Sequence, residues 1–471
     1  MQDSKYSGVL LFAGIPCLVR MSVSYSNTSP LTVLSGSSCY LHSYESSSSS
    51  PSVSVTTFLD TRNNVPSCGH CNPRVNAAIS GQVHAINTNT RYLHPNITSL
   101  ASKLIGTLPS LEGDDSWVVT LTNSGSESND LALRIANWYT SGGPIITYDM
   151  SYHGHTSALI SVSPYKLKQI GETSPRPNTY WLKHPNIYRC PSSDPATHYK
   201  AEFDELLSTI ESPPTLIYEI GMSVGGVCLP PPTYLAHVTD GVRARKGCVI
   251  YDCVQTGCGR FGENKWWGFE REDGAVPDIV TVGKPLGNGH PISALCVKKS
   301  VIRNFDTCGM EYFNTFGGNP VSCAAGLAVM AEVDRRRLPQ NADVVGSYLM
   351  SRFQAICADY PSIVGDVRGV GLFIGVEILA TPPVSRQPPS PLPPPPGTAE
   401  TSWLCSHLKD EYRILSTIDG EHDNVIVVKP PLTFGMEEAT YFTSSFRELV
   451  KKLLSLKASS KFDTTGGKTP T

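Results

Sequence analysis

Five short apolar runs constrain this chain more than any other feature. WVVTLTN (117–123), PIITYD (144–149), TLIYEI (215–220), GCVIYD (247–252) and DIVTVG (278–283) are each only a few residues long and rich in β-branched and aromatic side chains. Runs of that length and composition read as buried strands. Helical patterns lie between them. SGSESNDLALRIANWY (124–139) sets Leu131, Ile135 and Trp138 on one face, and Asn72-Pro73 can cap and start a helix carrying Val75, Ile79 and Val83 at i, i+4, i+8. Strands that alternate with helices predict an α/β fold: a mostly parallel sheet covered by helices on both faces.

The chain has 471 residues, enough for one large α/β domain and a smaller one. VGDVRGVGLFIGVEI (364–378) and NVIVVKPPLTF (424–434) read as strands of a smaller α+β domain near the C-terminus. Between them TPPVSRQPPSPLPPPPG (381–397) holds nine prolines in seventeen residues, which reads as a stiff surface insertion. The expected boundaries are a serine-rich, disordered segment over 1–57, an entrance region over 58–100, a large ligand-binding domain over 101–325, a C-terminal small domain over 326–457 and a mobile tail over 458–471. Within the first segment VLLFAGIPCLV (9–19) follows Lys5 and reads as a signal-peptide core, part of a transit peptide or a plain tail. The expected compartment is the cytoplasm or the mitochondrion.

Lys and Arg number 38 against 41 Asp and Glu, a net charge of −3, and no basic stripe exists. Nucleic acid is therefore not the expected partner. No apolar run reaches the roughly 18 residues of a membrane span. Fourteen cysteines are scattered without a framework. They read as small buried hydrophobes in a reducing compartment, with a secreted disulfide scaffold as the alternative.

Three local patterns could carry chemistry. Ser124-Gly125-Ser126 opens a helix directly after a strand, where backbone N–H groups and hydroxyls can cradle a phosphate; an ordinary serine cap is the other reading. Asp252 closes a buried strand, the edge at which open α/β sheets place ligands; capping the next loop is its bland alternative. Lys284, in TVGKPLGNGHP, follows another strand in a loop of Gly, Pro and Asn. It is either solvated or held as a Schiff-base amine. Together, a phosphate-holding helix start, a strand-end acid and a lysine match what pyridoxal 5'-phosphate needs. Cys68-Gly69-His70-Cys71 raises a rival, a dithiol or zinc site. The helix is expected to start at Pro73, after both cysteines, and no second C-x-x-C exists, so no metal site is expected.

In order, GHCNP, NSGSESND, SYHGH, DCVQTGCGR, VGKPLGNGHP, FNTFGGNPVSC and VRGVG resemble the motifs of the class-III pyridoxal-phosphate aminotransferase family, over roughly residues 58–455. The resemblance implies a fold-type I enzyme and a homodimer with a shared active site. It implies that Ser124, Gly125 and Ser126 hold the cofactor phosphate, that Tyr152 stacks on the ring beside His153, and that Asp252 pairs with the pyridine nitrogen. Val254 would pack under the ring, Gln255 would reach its phenolic oxygen, and Glu219 matches the family's active-site glutamate. Lys284 would be the Schiff-base lysine and proton shuttle. Thr315 would add a phosphate contact from the neighbouring subunit. Arg368 matches an arginine that holds a substrate carboxylate, and Tyr92 is the other substrate candidate. NNV (63–65), NTNTRYLHPNI (87–97) and EYFNTFGGNPVSCAAGLAV (311–329) look most like the phospho-lyases of ethanolamine phosphate and phosphohydroxylysine; an alanine–glyoxylate type transaminase is the runner-up, and a homologue that has lost activity the remote alternative. The chain departs from the family at Cys253, where glutamate is usual, and in lacking the usual strand pattern before Phe58.

Overall fold

The computed structural model describes residues 31–46, 53–263, 265–309, 311–380, 393–459 and 462, with two-residue strands at Leu11–Phe12 and Ile15–Pro16. The segment ahead of Phe58 differs from expectation. β1 (Val33–Ser37), β2 (Tyr40–Ser46) and β3 (Val53–Asp60) form an antiparallel meander. Seven of their twenty residues are serine or threonine, which blurs the pattern, yet Cys39, Phe58 and Leu59 are buried. Helix α1 (Pro73–Ala85) follows, then α2 (Pro95–Ile105). Asn72 caps α1: its Oδ1 accepts from Arg74 N at 3.0 Å and Val75 N at 3.2 Å. Val75 is buried, whereas Val83 is 56% exposed, so the periodic face of α1 is only partly covered.

The central sheet is built from β4 (Trp117–Thr122), β5 (Ile145–Tyr148), β6 (Thr179–Leu182), β7 (Thr215–Glu219), β8 (Cys248–Asp252), β9 (Ile279–Val282) and β10 (Ser293–Lys298). Their order is β4-β10-β9-β8-β7-β5-β6. All neighbours are parallel except β10, which is antiparallel to both β9 and β4. Two reversals restore the direction, so β4 ends at the same edge as β7, β8 and β9. Alternate residues feed two separate apolar clusters. Leu216, Tyr218, Val249, Tyr251, Val280 and Val282 join one, and Ile217, Ile250 and Ile279 the other. Period two with both faces apolar is why these strands read as continuous hydrophobic runs. Helix α3 (Gly125–Tyr139) covers the second face with Leu131 and Ile135; its Trp138 is 45% exposed, against the face first assigned to it.

Helices α4 (Pro320–Arg335) and α5 (Leu338–Asp359) lead to β11 (Val364–Val370) and β12 (Phe373–Ile378). Helix α6 (Thr398–Tyr412), β13 (Ile414–Leu415), β14 (Thr417–Asp419), β15 (Val425–Val428) and α7 (Met436–Ala458) complete the chain. A second sheet has the order β11-β12-β15-β14, all antiparallel. β13 runs parallel to β3 and so ties the N-terminal meander to the C-terminal elements. The proline-rich excursion leaves after Ala380, whose N–H donates to Pro395 O at 2.9 Å; residues 381–392 within it, and most of the 458–471 tail, lie outside the described residues. Among the described residues no helix is long and apolar enough to cross a membrane.

Asn72 also donates to Cys68 O at 3.1 Å and to Glu332 Oε2 at 3.4 Å, so it holds α1 against α4. Asn72→Ala is expected to destabilise the protein by about 1–2 kcal/mol, from a lost cap and a buried carboxylate short of a donor. Urea unfolding measures this, and an unchanged midpoint would contradict it.

Candidate active site

Parallel pairing brings two acids side by side. In register, Asp252 of β8 sits opposite Glu219 of β7 and Thr281 of β9, all at the edge where β4 hands over to α3. Asp252 is 4% exposed and held by three donors. Asn129 Nδ2 lies 2.7 Å and His153 Nδ1 2.9 Å from its Oδ2, and Val254 N lies 2.9 Å from its Oδ1. Asn129 is oriented in turn, because Thr281 Oγ1 donates to its Oδ1 at 2.7 Å. A buried carboxylate so fixed presents its remaining lone pairs to the space in front of it.

That space is an open cavity of about 50 Å³. Gly125, Ser126 and Asn129 of α3 line one side, Tyr152, His153 and Gly154 another, and Glu219, Asp252, Val254 and Gln255 the floor. Ser124 caps α3, its Oγ accepting from Glu127 N at 3.2 Å. The first-turn amides of Gly125 and Ser126 have no carbonyl of their own helix to bond, and they open on the cavity with the positive end of the helix dipole. Glycine is needed here. A Cβ on Gly125 would stand 2.8 Å from Val254 Cγ1, and one on Gly154, at φ +136°, would stand 2.6 Å from Ser126 Oγ.

Glu219 accepts from Tyr152 N at 3.1 Å, from Ser223 N at 3.2 Å and from Gln255 Nε2 at 3.3 Å. Burial, with the Asp252 charge beside it, raises its pKa above the usual carboxylate value. Lys284 starts a short 3-10 turn after β9. Burial pushes its pKa below the ordinary lysine value, while Asp252 and Glu219 oppose that shift. At a given pH below 10.5 a larger fraction of Lys284 is therefore the neutral amine than at a surface lysine.

The structure thus gathers Ser124, Gly125, Ser126, Tyr152, His153, Glu219, Asp252, Val254, Gln255 and Lys284 around one edge of the sheet. It does not bring three others there. Arg368 is engaged elsewhere: its Nη1 lies 2.7 Å from both Asp366 Oδ2 and Glu377 Oε2, and its Nε 2.9 Å from Gly226 O. Two carboxylates pair with this guanidinium through Nη1, and its Nη2 is buried with no hydrogen-bond partner. Thr315 and Tyr92 are exposed and outside the cavity wall. Tyr92 lines a separate surface groove with Leu93 and Phe313. Cys253 has no place at the cavity either. Alternation turns it into the opposite apolar cluster, where burial pushes its thiol up to about 12. Cys68 is likewise buried and pushed up to about 12, the reverse of a redox thiol, while Cys71 is exposed.

Sequence reasoning missed Asn129, Asn64, Ser223 and Lys429. Lys429 closes the apolar run NVIVV just as Lys284 closes DIVTV, and that echo was the available signal. Lys284→Ala is expected to abolish covalent trapping of an aldehyde by borohydride while circular dichroism stays unchanged. Trapping in wild type is expected to remain efficient well below pH 10, following the lowered lysine pKa. Mass spectrometry of the trapped adduct checks both.

Residues 59–450 match the family model described as aminotransferase class-III. An alanine–glyoxylate aminotransferase 2-like protein of Drosophila melanogaster is 36% identical over 441 residues, covering 91% of this chain and 84% of that protein. Ethanolamine-phosphate phospho-lyase homolog 1 of Caenorhabditis elegans is 36% identical over 402 residues, covering 80% and 81%. A phospholyase from Arthrobacter, solved in complex with phosphoethanolamine, superposes with a TM-score of 0.78 at 34% identity, covering 90% of this chain and 95% of that one. Class-III enzymes and these phospholyases depend on pyridoxal phosphate, and the residues here fit it: a helix start kept open by glycine and a fixed carboxylate on one cavity, with a lysine amine close enough for Asp252 and Glu219 to favour its charged form. The chain belongs to the class-III aminotransferase family.

Proposed function

We propose that this enzyme is a phospho-lyase that eliminates phosphate from a small phosphorylated amine such as phosphoethanolamine, giving aldehyde, ammonia and phosphate. The observation that carries this reading is the likeness to a phospholyase solved with phosphoethanolamine, 34% identical and covering 90% of this chain. A transaminase of the alanine–glyoxylate type is the second reading, supported by the Drosophila relative.

Bound pyridoxal phosphate supplies an electron sink for negative charge on the carbon next to the substrate nitrogen. The chain's own groups do the rest. Ser124, Ser126 and the amides opening α3 would hold the cofactor phosphate against the helix dipole. Asp252, fixed by Asn129 and His153, would pair with the ring nitrogen and favour its protonated form. Tyr152 and Val254 would pack on the ring, and Gln255 would reach the phenolic oxygen. Lys284, held partly neutral by burial, takes the proton from the substrate carbon that bears nitrogen. The bond from the neighbouring carbon to the phosphate oxygen then breaks, phosphate leaves with the bonding pair, and water hydrolyses the remaining enamine.

We further propose a homodimer. Val83, Ile86, Tyr92, Leu93, Phe313 and Phe316 are all large and between 42% and 99% exposed, an apolar surface that suits a second copy. Such a pairing would let Thr315 reach the neighbouring cofactor phosphate. Leu93→Glu is expected to give monomers in sedimentation velocity and to weaken cofactor binding; an intact dimer would oppose this surface.

Phosphoethanolamine is expected to release phosphate at the rate of aldehyde formation, with no need for a keto-acid acceptor. If instead alanine and glyoxylate exchange their amino group and no phosphate appears, the transaminase reading stands.

A further inference from the structure

NNV (63–65) and the lysine of VVKPP have no role in the chemistry above, yet both end on the same side chain. Gln255 Oε1 accepts from Asn64 Nδ2 at 3.0 Å and from Lys429 Nζ at 3.2 Å. The other end of the amide, Nε2, donates to Glu219 Oε1 at 3.3 Å and lies on the cavity wall. Lys429 is anchored behind: its Nζ donates to Ser223 Oγ at 2.6 Å and stands 3.8 Å from Asp419 Oδ2.

An amide can present either its carbonyl or its NH2 to a ligand, and the two ends are nearly the same shape. Asn64 cannot decide the matter, because its own amide can flip with that of Gln255. Glu219 is an acceptor toward two backbone N–H groups. Of Asn64, Glu219 and Lys429, Lys429 alone is an obligate donor, since an ammonium has three donors and no acceptor. It therefore forces the carbonyl backward and the NH2 toward the cavity. We propose that Lys429, supported by Asn64, is a positioning residue that sets the polarity of Gln255, so that the cofactor's phenolic oxygen meets a donor and not a carbonyl.

The consequence is electrostatic. A donor facing that oxygen favours its anion and lowers the pH at which it titrates; an inverted amide would do the reverse. The charged groups around this point are Glu219, Asp419, Asp252, Lys284 and Arg62, with Lys429 itself. Lys429 comes from the end of β15, Asn64 from the loop after β3 and Gln255 from the turn after β8. The orientation is thus set from three separate parts of the chain.

The inference rests on the reading of Gln255 as the contact to the phenolic oxygen, and the test separates the two. Wild type, Lys429→Met, Lys429→Arg, Gln255→Ala and the Lys429→Met/Gln255→Ala pair are loaded with pyridoxal phosphate. The dissociation constant and the pH midpoint of the visible cofactor band are measured for each. Lys429→Met is expected to weaken cofactor binding roughly tenfold or more, the scale of a lost hydrogen bond to a charged group, and to move the midpoint up. Lys429→Arg, which keeps an obligate donor, is expected to restore both. In the pair, Lys429→Met is expected to add nothing to Gln255→Ala. If Lys429→Met does not fold, Lys429→Gln keeps a polar side chain of similar reach but is no longer an obligate donor, and is expected to move the midpoint the same way. A midpoint unchanged in Lys429→Met while Gln255→Ala shifts it would overturn the role of Lys429. A midpoint unchanged in Gln255→Ala would overturn the proposal through the cofactor contact instead. Full additivity in the pair would leave Lys429 a merely structural lysine and also overturn it.

Discussion

A carboxylate at the end of a fully buried strand cannot stand alone, and the site is arranged around that fact. Asp252 has lost bulk water, and an unpaired charge in such a place is expensive. Asn129, His153 and the Val254 amide supply three donors, and two of them are positioned in turn: Asn129 by Thr281, and the His153 backbone by Ser163. On the proposed reading, a protonated pyridine nitrogen would add a positive partner to this carboxylate.

The same edge carries the other requirements because of strand direction. β7, β8 and β9 run parallel, and β4 rejoins their sense through β10. Their C-terminal ends therefore coincide, and with them Glu219, Asp252, Lys284 and the start of α3. Four chain segments far apart in sequence thus meet at one edge of the sheet. Lys284 gains reactivity from its location, since burial disfavours its charged form.

Much of this was legible in the sequence. The strand ends, the Ser-Gly-Ser helix start and the lysine after β9 each leave a local mark, because buried strands and helix caps demand particular residue types. What was not legible depends on tertiary pairing. Arg368 was read as a substrate ligand from its motif alone; only the fold shows that Asp366, two residues away on the same strand, and Glu377, across the β11–β12 hairpin, already hold it. The meander before Phe58 was missed because serine-rich strands lack hydrophobic contrast, although β3 has a partner in β13 some 350 residues on. Cys253 looked like a threat to the site only while its facing was unknown. For Asn64 and Lys429 the only traces are the NNV run and a lysine that follows an apolar run, and neither says which side chain they meet.

The proline-rich excursion between β12 and α6 illustrates a different kind of freedom. Ala380 and Pro395 are hydrogen-bonded to one another, and Leu379 bridges Pro396, so the excursion begins and ends at one point on the sheet. The entropy of closing such a loop rises only with the logarithm of its length, about 0.6 kcal/mol for each doubling. Folding thus exerts almost no selection on how long this segment is or what it contains. Sequence change can accumulate there at a rate set by other demands, while a single methyl group added at Gly125 would meet Val254.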